Sequence, residues 1–399
     1  MIGKANNLRF AILHGLYWAS FNILLGFLVP LYRHYGFSEA IIGFLSMTSA
    51  FASMLIQPLW GILCDRTGKL KAIFVGTILF SILLSYGLWL GKLGAIWMFP
   101  VVFLIAATYS SMGTVLDSWI MKMTNQGHKV RYNITRGIGS ISFAAMSSVY
   151  GRVLDAAGMS ITPFVFTGMA LLLAGFAFTT RAPAHVVHMT ADGSKPANPL
   201  ASFGELLKNH RFILLIVSLM LVFIGNGAAI VFMPVRMAEL GGTNAHVGIA
   251  MMVMALSEAP AMLLHHRIAK KIRIELLLIV SLFFFIVKIV VLALAPNVTL
   301  LILAQMFQFF SFGLYMPSVI QHLNRIVLER QLTSALLLFA SGTFGLGMMI
   351  GSSTGGLLAE RFGVQTMLLI LACVTACGFI MHLITTWSRP ATLPFGSGR

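Results

Sequence analysis

Asp117 and Arg136 stand in apolar surroundings on either side of a polar turn, Thr124–Lys129, and at about equal distance from it. Helices formed by the flanking segments run antiparallel, which brings acid and base to similar depth where they can face each other. An ionisable group in an apolar bundle costs roughly 2.5 to 3.5 kcal/mol on insertion scales and persists where it pairs or lines a wet cavity. The pattern implies part of a site for a solute or a proton. The competing explanation is an ion pair that only fixes helix register. A second acid and base, Glu258 in Ser257–Pro260 and Lys288 on the following segment, repeat the arrangement. A carboxyl held in such a cavity can load and release a proton as access changes sides.

Other polar and aromatic residues fall where they could wall a cavity. Tyr17, Trp18, Phe21 and Asn22 include positions at helical spacing in the first apolar segment, and Asn226 is flanked by Gly225 and Gly227. Gln305 and Gln308 lie one helical turn apart at membrane depth. Packing competes as the role of the aromatic residues and of Asn226. Trp119 points away from Asp117 on a helix and is expected to pack outside, and His322, beside Asn324 and Arg325, reads as an interfacial histidine. Cys64, Cys373 and Cys377 lack metal-ligand spacing and form no disulfide framework, so Cys373 and Cys377 are expected to pack. With no nucleophile motif, catalytic acid pair, nucleotide loop or metal cluster, the sequence points away from an enzyme and implies no cofactor or metal.

Composition dictates what must position these residues. The chain has 399 residues, 58% hydrophobic and 10% charged, with a mean hydropathy of +0.91; a water-soluble domain could not bury that much apolar surface. A formal charge of +16 could signal nucleic acid, but the basic residues sit in short loops between apolar runs, so topology explains the charge. About twenty apolar residues span a bilayer as a helix. Six spans are expected near 10–32, 41–63, 72–91, 95–121, 134–155 and 162–180. Six more follow near 211–235, 245–265, 274–295, 299–323, 335–359 and 364–387. With this layout only Arg33, Lys92, Arg152, Arg236 and Arg361 fall on one side, and the many basic loop residues on the other, which places both termini in the cytoplasm. The first apolar run is too long for a cleavable signal peptide.

The longest polar interruption, Arg181–His210, contains Pro183, Pro196 and Pro199 and reads as a flexible linker. It divides the chain into a six-helix bundle at 1–181, a cytoplasmic linker at 182–209 and a second bundle at 210–399. The halves partly repeat. Gly151–Gly158 (GRVLDAAG) and Gly355–Gly363 (GGLLAERFG) each carry a glycine, an acid four residues on and a second glycine seven residues on. Two related halves imply alternating access about a site near the membrane midplane.

Between the second and third spans, Gly61, Asp65, Arg66, Gly68, Lys69 and Lys71 form a further motif. Its glycines allow a tight turn and close helix approach, and Asp65 can accept from a helix N-terminus or a neighbouring arginine. The motif resembles the loop signature of the major facilitator superfamily. That resemblance implies an all-α membrane fold of twelve helices in two six-helix bundles with pseudo-twofold symmetry, and a conformational latch at Gly61, Asp65, Arg66, Gly68 and Lys69.

Within the superfamily, Asp117 and Arg136-Gly137-Ile138-Gly139-Ser140 resemble the proton-linked permeases of the lactose permease and phenylpropionate permease type. The resemblance implies that Phe143 offers a ring for a sugar or aromatic substrate to stack on, and that Glu258 and Lys288 match a family acid and base. The chain departs from the pattern in carrying Gln308 and Ser311 where the family places a histidine and a glutamate, which leaves Asp117, Glu258 and His322 to titrate. The expected substrate-binding set is Asp117, Arg136, Phe143, Asn22, Tyr17, Asn226, Gln305 and Gln308, with Glu258, Lys288 and Asp117 coupling protons. The expected function is proton-coupled transport of a sugar or oligosaccharide by a monomer in a bacterial inner membrane. Uptake of an aromatic carboxylate and efflux of drugs or sugars are the alternatives.

Overall fold

A computed structural model describes residues 2–126, 130–182, 199–328 and 331–387. The middle of the expected linker, 183–198, and the end of the polar turn, 127–129, lie outside them. Among the described residues every regular element is a helix, and eleven helices are long and apolar enough to cross a membrane. In chain order the spans are α1 (Asn7–His34), α2 (Glu39–Thr67), α3 (Leu70–Leu93), α4 (Ala95–Asn125), α5 (Tyr132–Ala157), α6 (Met159–Thr179), α7 (His210–Glu239), α8 (Asn244–Ile268), α9 (Ile274–Leu294), α10 (Val298–Ile326), α11 (Leu332–Phe362) and α12 (Val364–Thr386). The twelfth helix is α5, less apolar because of its glycines, serines and Arg136. Its 26 residues still make a rod of about 39 Å. The helices form two six-helix bundles, α1–α6 and α7–α12, related by pseudo-twofold symmetry.

Lipid supplies no hydrophobic drive for helices to associate, so close packing and hydrogen bonds hold each bundle. In the first, Trp119 is fully buried between the edges of Phe10 and Phe74, each at 5.9 Å, and its Nε1 donates to the Arg181 carbonyl at 3.1 Å. This corrects the expectation that Trp119 packs outside: the helix face turned from Asp117 is the one that meets α1 and α3. Cys373 and Cys377 are the converse, exposed on α12 where packing was expected. In the second bundle Phe223, Phe285 and Tyr315 pack together, with centroids 5.3 to 5.7 Å apart. Within the expected linker, Pro199–Lys208 is helical. Proline suits a first helical turn, Leu206 is buried, and the Glu205 carboxylate accepts from Gln331 Nε2 at 2.5 Å.

The bundles meet along two antiparallel seams, α5 with α8 and α2 with α11, and glycine makes both possible. A Cβ at Gly151 would strike the Asn244 carbonyl, and one at Gly248 the Ser147 carbonyl; Gly43 and Gly356 are equally close to the backbone across the other seam. Each seam is tied by the acid of the repeated sequence motif. The Asp155 carboxylate accepts from the Asn244 and Ala245 amides at 2.9 Å, where α8 begins. The Glu360 carboxylate accepts from Ser38 Oγ at 2.8 Å and the Ala40 amide at 2.9 Å, where α2 begins. Both ties lie at the end with few basic loops. They cap orphan amides and meet the positive ends of the helix dipoles.

Candidate solute and proton site

Between the seams the first bundle contributes α1, α4 and α5. Arg136 lays its guanidinium over the Trp18 ring, 4.3 Å from the centroid. Trp18 stands edge-on to Phe143 at 6.4 Å, and Trp18, Phe143 and Arg136 are all half-buried. Asp117, with 32% of its side chain exposed, meets His14 instead: Oδ1 lies 3.2 Å from His14 Nε2. Tyr132 lies within electrostatic range of both Asp117 and Arg136. Among the described residues no ion pair joins Asp117 to Arg136 within 4.0 Å. The two residues expected to face each other do occupy one cluster, but imidazole has taken the carboxylate and indole the guanidinium. A stacked cation of this kind is held by about 0.5 to 2 kcal/mol.

The second bundle supplies a polar chain. Lys288, 2% exposed, donates from Nζ to Gln308 Oε1 at 2.6 Å, and Gln308 Nε2 points to Glu258 Oε2 at 3.5 Å. Lysine can only donate and an ionised carboxylate can only accept, so the amide between them has one workable orientation. The expected acid and base therefore communicate through Gln308. Glu258 also lies within electrostatic range of Arg136, from the opposite bundle, as well as of Lys288. Two cations and an acid thus converge from both bundles beside two aromatic rings.

Other expected contributors have no free surface here. Tyr17 is fully buried, stacked on Tyr109 at 5.6 Å, and its hydroxyl reaches the Tyr109 and Ser110 carbonyls at 3.2 and 3.3 Å. Those are carbonyls of a π-helical segment, 106–110, whose wider turn frees backbone acceptors. Asn22 donates from Nδ2 to Ser147 Oγ at 2.8 Å, linking α1 to α5. Asn226 and Gln305 are also buried, and Gln305 Nε2 reaches the Leu301 carbonyl at 3.3 Å. His322 is buried as well. The sequence reading missed His14, the partner of Asp117; Trp18, one turn further along, is the ring that meets Arg136. A histidine one helical turn before an aromatic residue in an apolar span was the available signal.

At the basic end lie the residues of the loop motif. Asp65 pairs with Lys122 at 2.8 Å, within its own half, where an arginine or a helix end was expected. Gly68 closes α2 at φ +65, with its amide on the Cys64 carbonyl, as a tight turn requires. Gly61 has open space where a Cβ would project, so the close approach expected there is not made in this conformation. Arg66 and Lys69 are exposed.

A model of the MFS_1 like family matches residues 8–371. The chain is similar to a maltose permease of Geobacillus stearothermophilus, 26% identical over 348 residues that make up 87% of this chain and 86% of that one. It is also similar to the uncharacterized transporter YwbF of Bacillus subtilis (strain 168), 22% identical over 94% of this chain and 93% of that one. Among solved structures, the nucleoside transporter NupG superposes with a TM-score of 0.82 at 18% identity, covering 96% of this chain and 99% of that one. A bacterial homologue of the human lysosomal transporter Spinster, inward-facing and unoccupied, superposes at 0.68 with 14% identity, covering 97% of each chain. These structural likenesses concern the fold.

Proposed function

The chain belongs to the MFS_1 like family, a family of membrane transporters for small solutes, and from that membership we propose that it is a proton-coupled carrier of a sugar or oligosaccharide. The observation that carries the reading is the convergence of Arg136 and Glu258 from opposite bundles beside the Trp18 and Phe143 rings. Hydroxyl-rich ligands suit such a place, with charged groups to hydrogen-bond their rims and aromatic faces to take their apolar sides. Similarity to a maltose permease supports this substrate class. Glu258, linked to Lys288 through Gln308, is the coupling acid in this reading: when it takes a proton, Lys288 keeps its partner in the amide.

The halves are 1–181 and 210–399, joined by 182–209, and they rock about the site in a monomer of a bacterial inner membrane with both termini inside. The tied end is then extracellular and the conformation inward-facing. Asp117, Arg136 and Phe143 contact the cargo, and Asn22, Tyr17, Asn226, Gln305 and Gln308 hold the wall behind them. The motif at Gly61, Asp65, Arg66, Gly68 and Lys69 latches the other conformation.

The test is uptake into proteoliposomes under an imposed pH gradient, with labelled maltose and maltodextrins, phenylpropanoids and cationic dyes as probes. Sugar accumulation should follow the gradient and fall roughly tenfold to a hundredfold in Asp117→Asn and Arg136→Gln, the loss of one hydrogen bond to a charged group. The aromatic carboxylate remains the second reading, because a guanidinium with no acid within 4.0 Å among the described residues and two adjacent rings suits that ligand too. Phenylpropanoid flux lost in Arg136→Gln, with no sugar flux, would replace the first reading by the second.

A further inference from the structure

We propose that His14 is a proton-binding positioning residue that decides whether Asp117 or the ligand engages Arg136. This deepens the carrier reading and rests on it for the role of Arg136. His14 lies on α1, and its side chain is 1% exposed. Nε2 lies 3.2 Å from Asp117 Oδ1, both atoms are shielded from solvent, and Nδ1 has no hydrogen-bond partner among the described residues. A buried imidazole normally has both nitrogens satisfied, whereas this one is satisfied chiefly by the charge of a neighbouring carboxylate.

The groups facing it are few. Asp117 comes from α4, and Tyr132 and Arg136 from α5, the Tyr132 ring standing edge-on at 6.5 Å. Tyr17 is on α1 itself, and α6, also packed on α1, carries no titratable side chain. Asp117 and Arg136 cancel, so a proton on His14 adds one positive charge to this cluster, and Asp117 is the only acid in it. A protonated His14 clamps Asp117 on the side away from Arg136. The guanidinium then rests on Trp18, 4.3 Å from the ring centroid, with no acid within 4.0 Å among the described residues. When His14 gives up its proton, the clamp weakens and Asp117 draws Arg136 off the indole through the shared Tyr132. Protonation at His14 thereby opens the ligand-binding posture. Only a proton moves: it binds Nδ1, the nitrogen without a partner among the described residues, and leaves to water, while the N–H at Nε2 stays facing Asp117 Oδ1.

The Trp18 emission reports the stacking directly. The experiment is a pH titration of intrinsic fluorescence of the full-length protein, wild type minus Trp18→Phe, with no sugar present, so it stands apart from the identity of the cargo. The titration runs over about pH 5 to 8, and the difference signal should change with pH across it. It should disappear in His14→Gln and persist in Glu258→Gln. A parallel measurement follows maltose counterflow, whose half-saturating concentration should rise about tenfold per pH unit above the midpoint, the slope of one linked proton, and flatten in His14→Gln. An unchanged midpoint in His14→Gln, or a wild type with no Trp18 titration in that range, overturns the proposal. Should His14→Gln fail to fold, Asp117→Asn takes its place: it must also abolish the titration, and persistence there overturns the idea equally. Maltose inactivity with an intact Trp18 titration would discard the sugar reading and leave the His14 switch standing.

Discussion

Glu258 and Arg136 share one electrostatic neighbourhood but do different work. Glu258→Gln keeps the shape and the Gln308 contact while removing the titrating proton. Uphill maltose accumulation should therefore collapse to equilibration, with counterflow across the same vesicles within about threefold of wild type, because an isosteric amide retains the hydrogen bond and loses only the charge. Gradient-driven accumulation by Glu258→Gln would remove it from the coupling role. Arg136→Lys is the complementary change. An ammonium keeps the charge but loses the planar stacking on Trp18 and the forked donors, so ligand affinity should fall roughly tenfold, as measured by half-saturating concentration. Asp117, Arg136, Glu258 and Lys288 could be found in the sequence because a charge in an apolar run announces itself. Their partners could not: that His14 takes Asp117 and that Gln308 stands between Lys288 and Glu258 depends on how five helices rotate, which no single segment encodes.

Helices were more legible than contacts. All twelve spans lie close to where apolar length places them, and the repeated Gly-acid-Gly pattern ending the fifth and eleventh proves to be the seam closure. Gly158 and Gly363 terminate those helices at φ +78 and +82, while the acids reach across to cap helices of the other half. A sequence shows that two ends are alike; it does not show that each carboxylate serves a helix in the opposite bundle. An N-cap contributes about 1 kcal/mol, or roughly a fivefold population ratio. Asp155→Asn and Glu360→Gln should each raise the alkylation rate of a cysteine placed at Val247, in a background lacking native cysteines, by about that factor. The two caps are distant and share no partner, so the double variant should approach the product of the two effects. Rates unchanged from the parent would show that glycine packing alone closes this end.

The carboxylate ties between the bundles lie at one end of the molecule; the motif at the other end pairs within its own half. Asp65 and Lys122 form an exposed pair within one half, a kind that contributes little to stability, and Gly61 faces emptiness. Gly61→Leu should therefore leave the melting temperature of the purified protein within about 1 °C, as expected for a surface change, yet slow maltose counterflow at least about tenfold if that void is where the opposite bundle docks in the alternate state. A loss of both would mean the glycine is needed here already.

The helix that carries Arg136 bears on how the protein comes to be made. Alone among the twelve, α5 falls short of the hydropathy expected of a membrane span, and Arg136 adds to the cost of placing it in lipid. Packing of α1 against Tyr132–Ala157 offsets part of that cost, since a polar group in a bilayer persists where a neighbouring helix shelters it. Biogenesis and chemistry thus draw on one surface, the contact of α1 with α5.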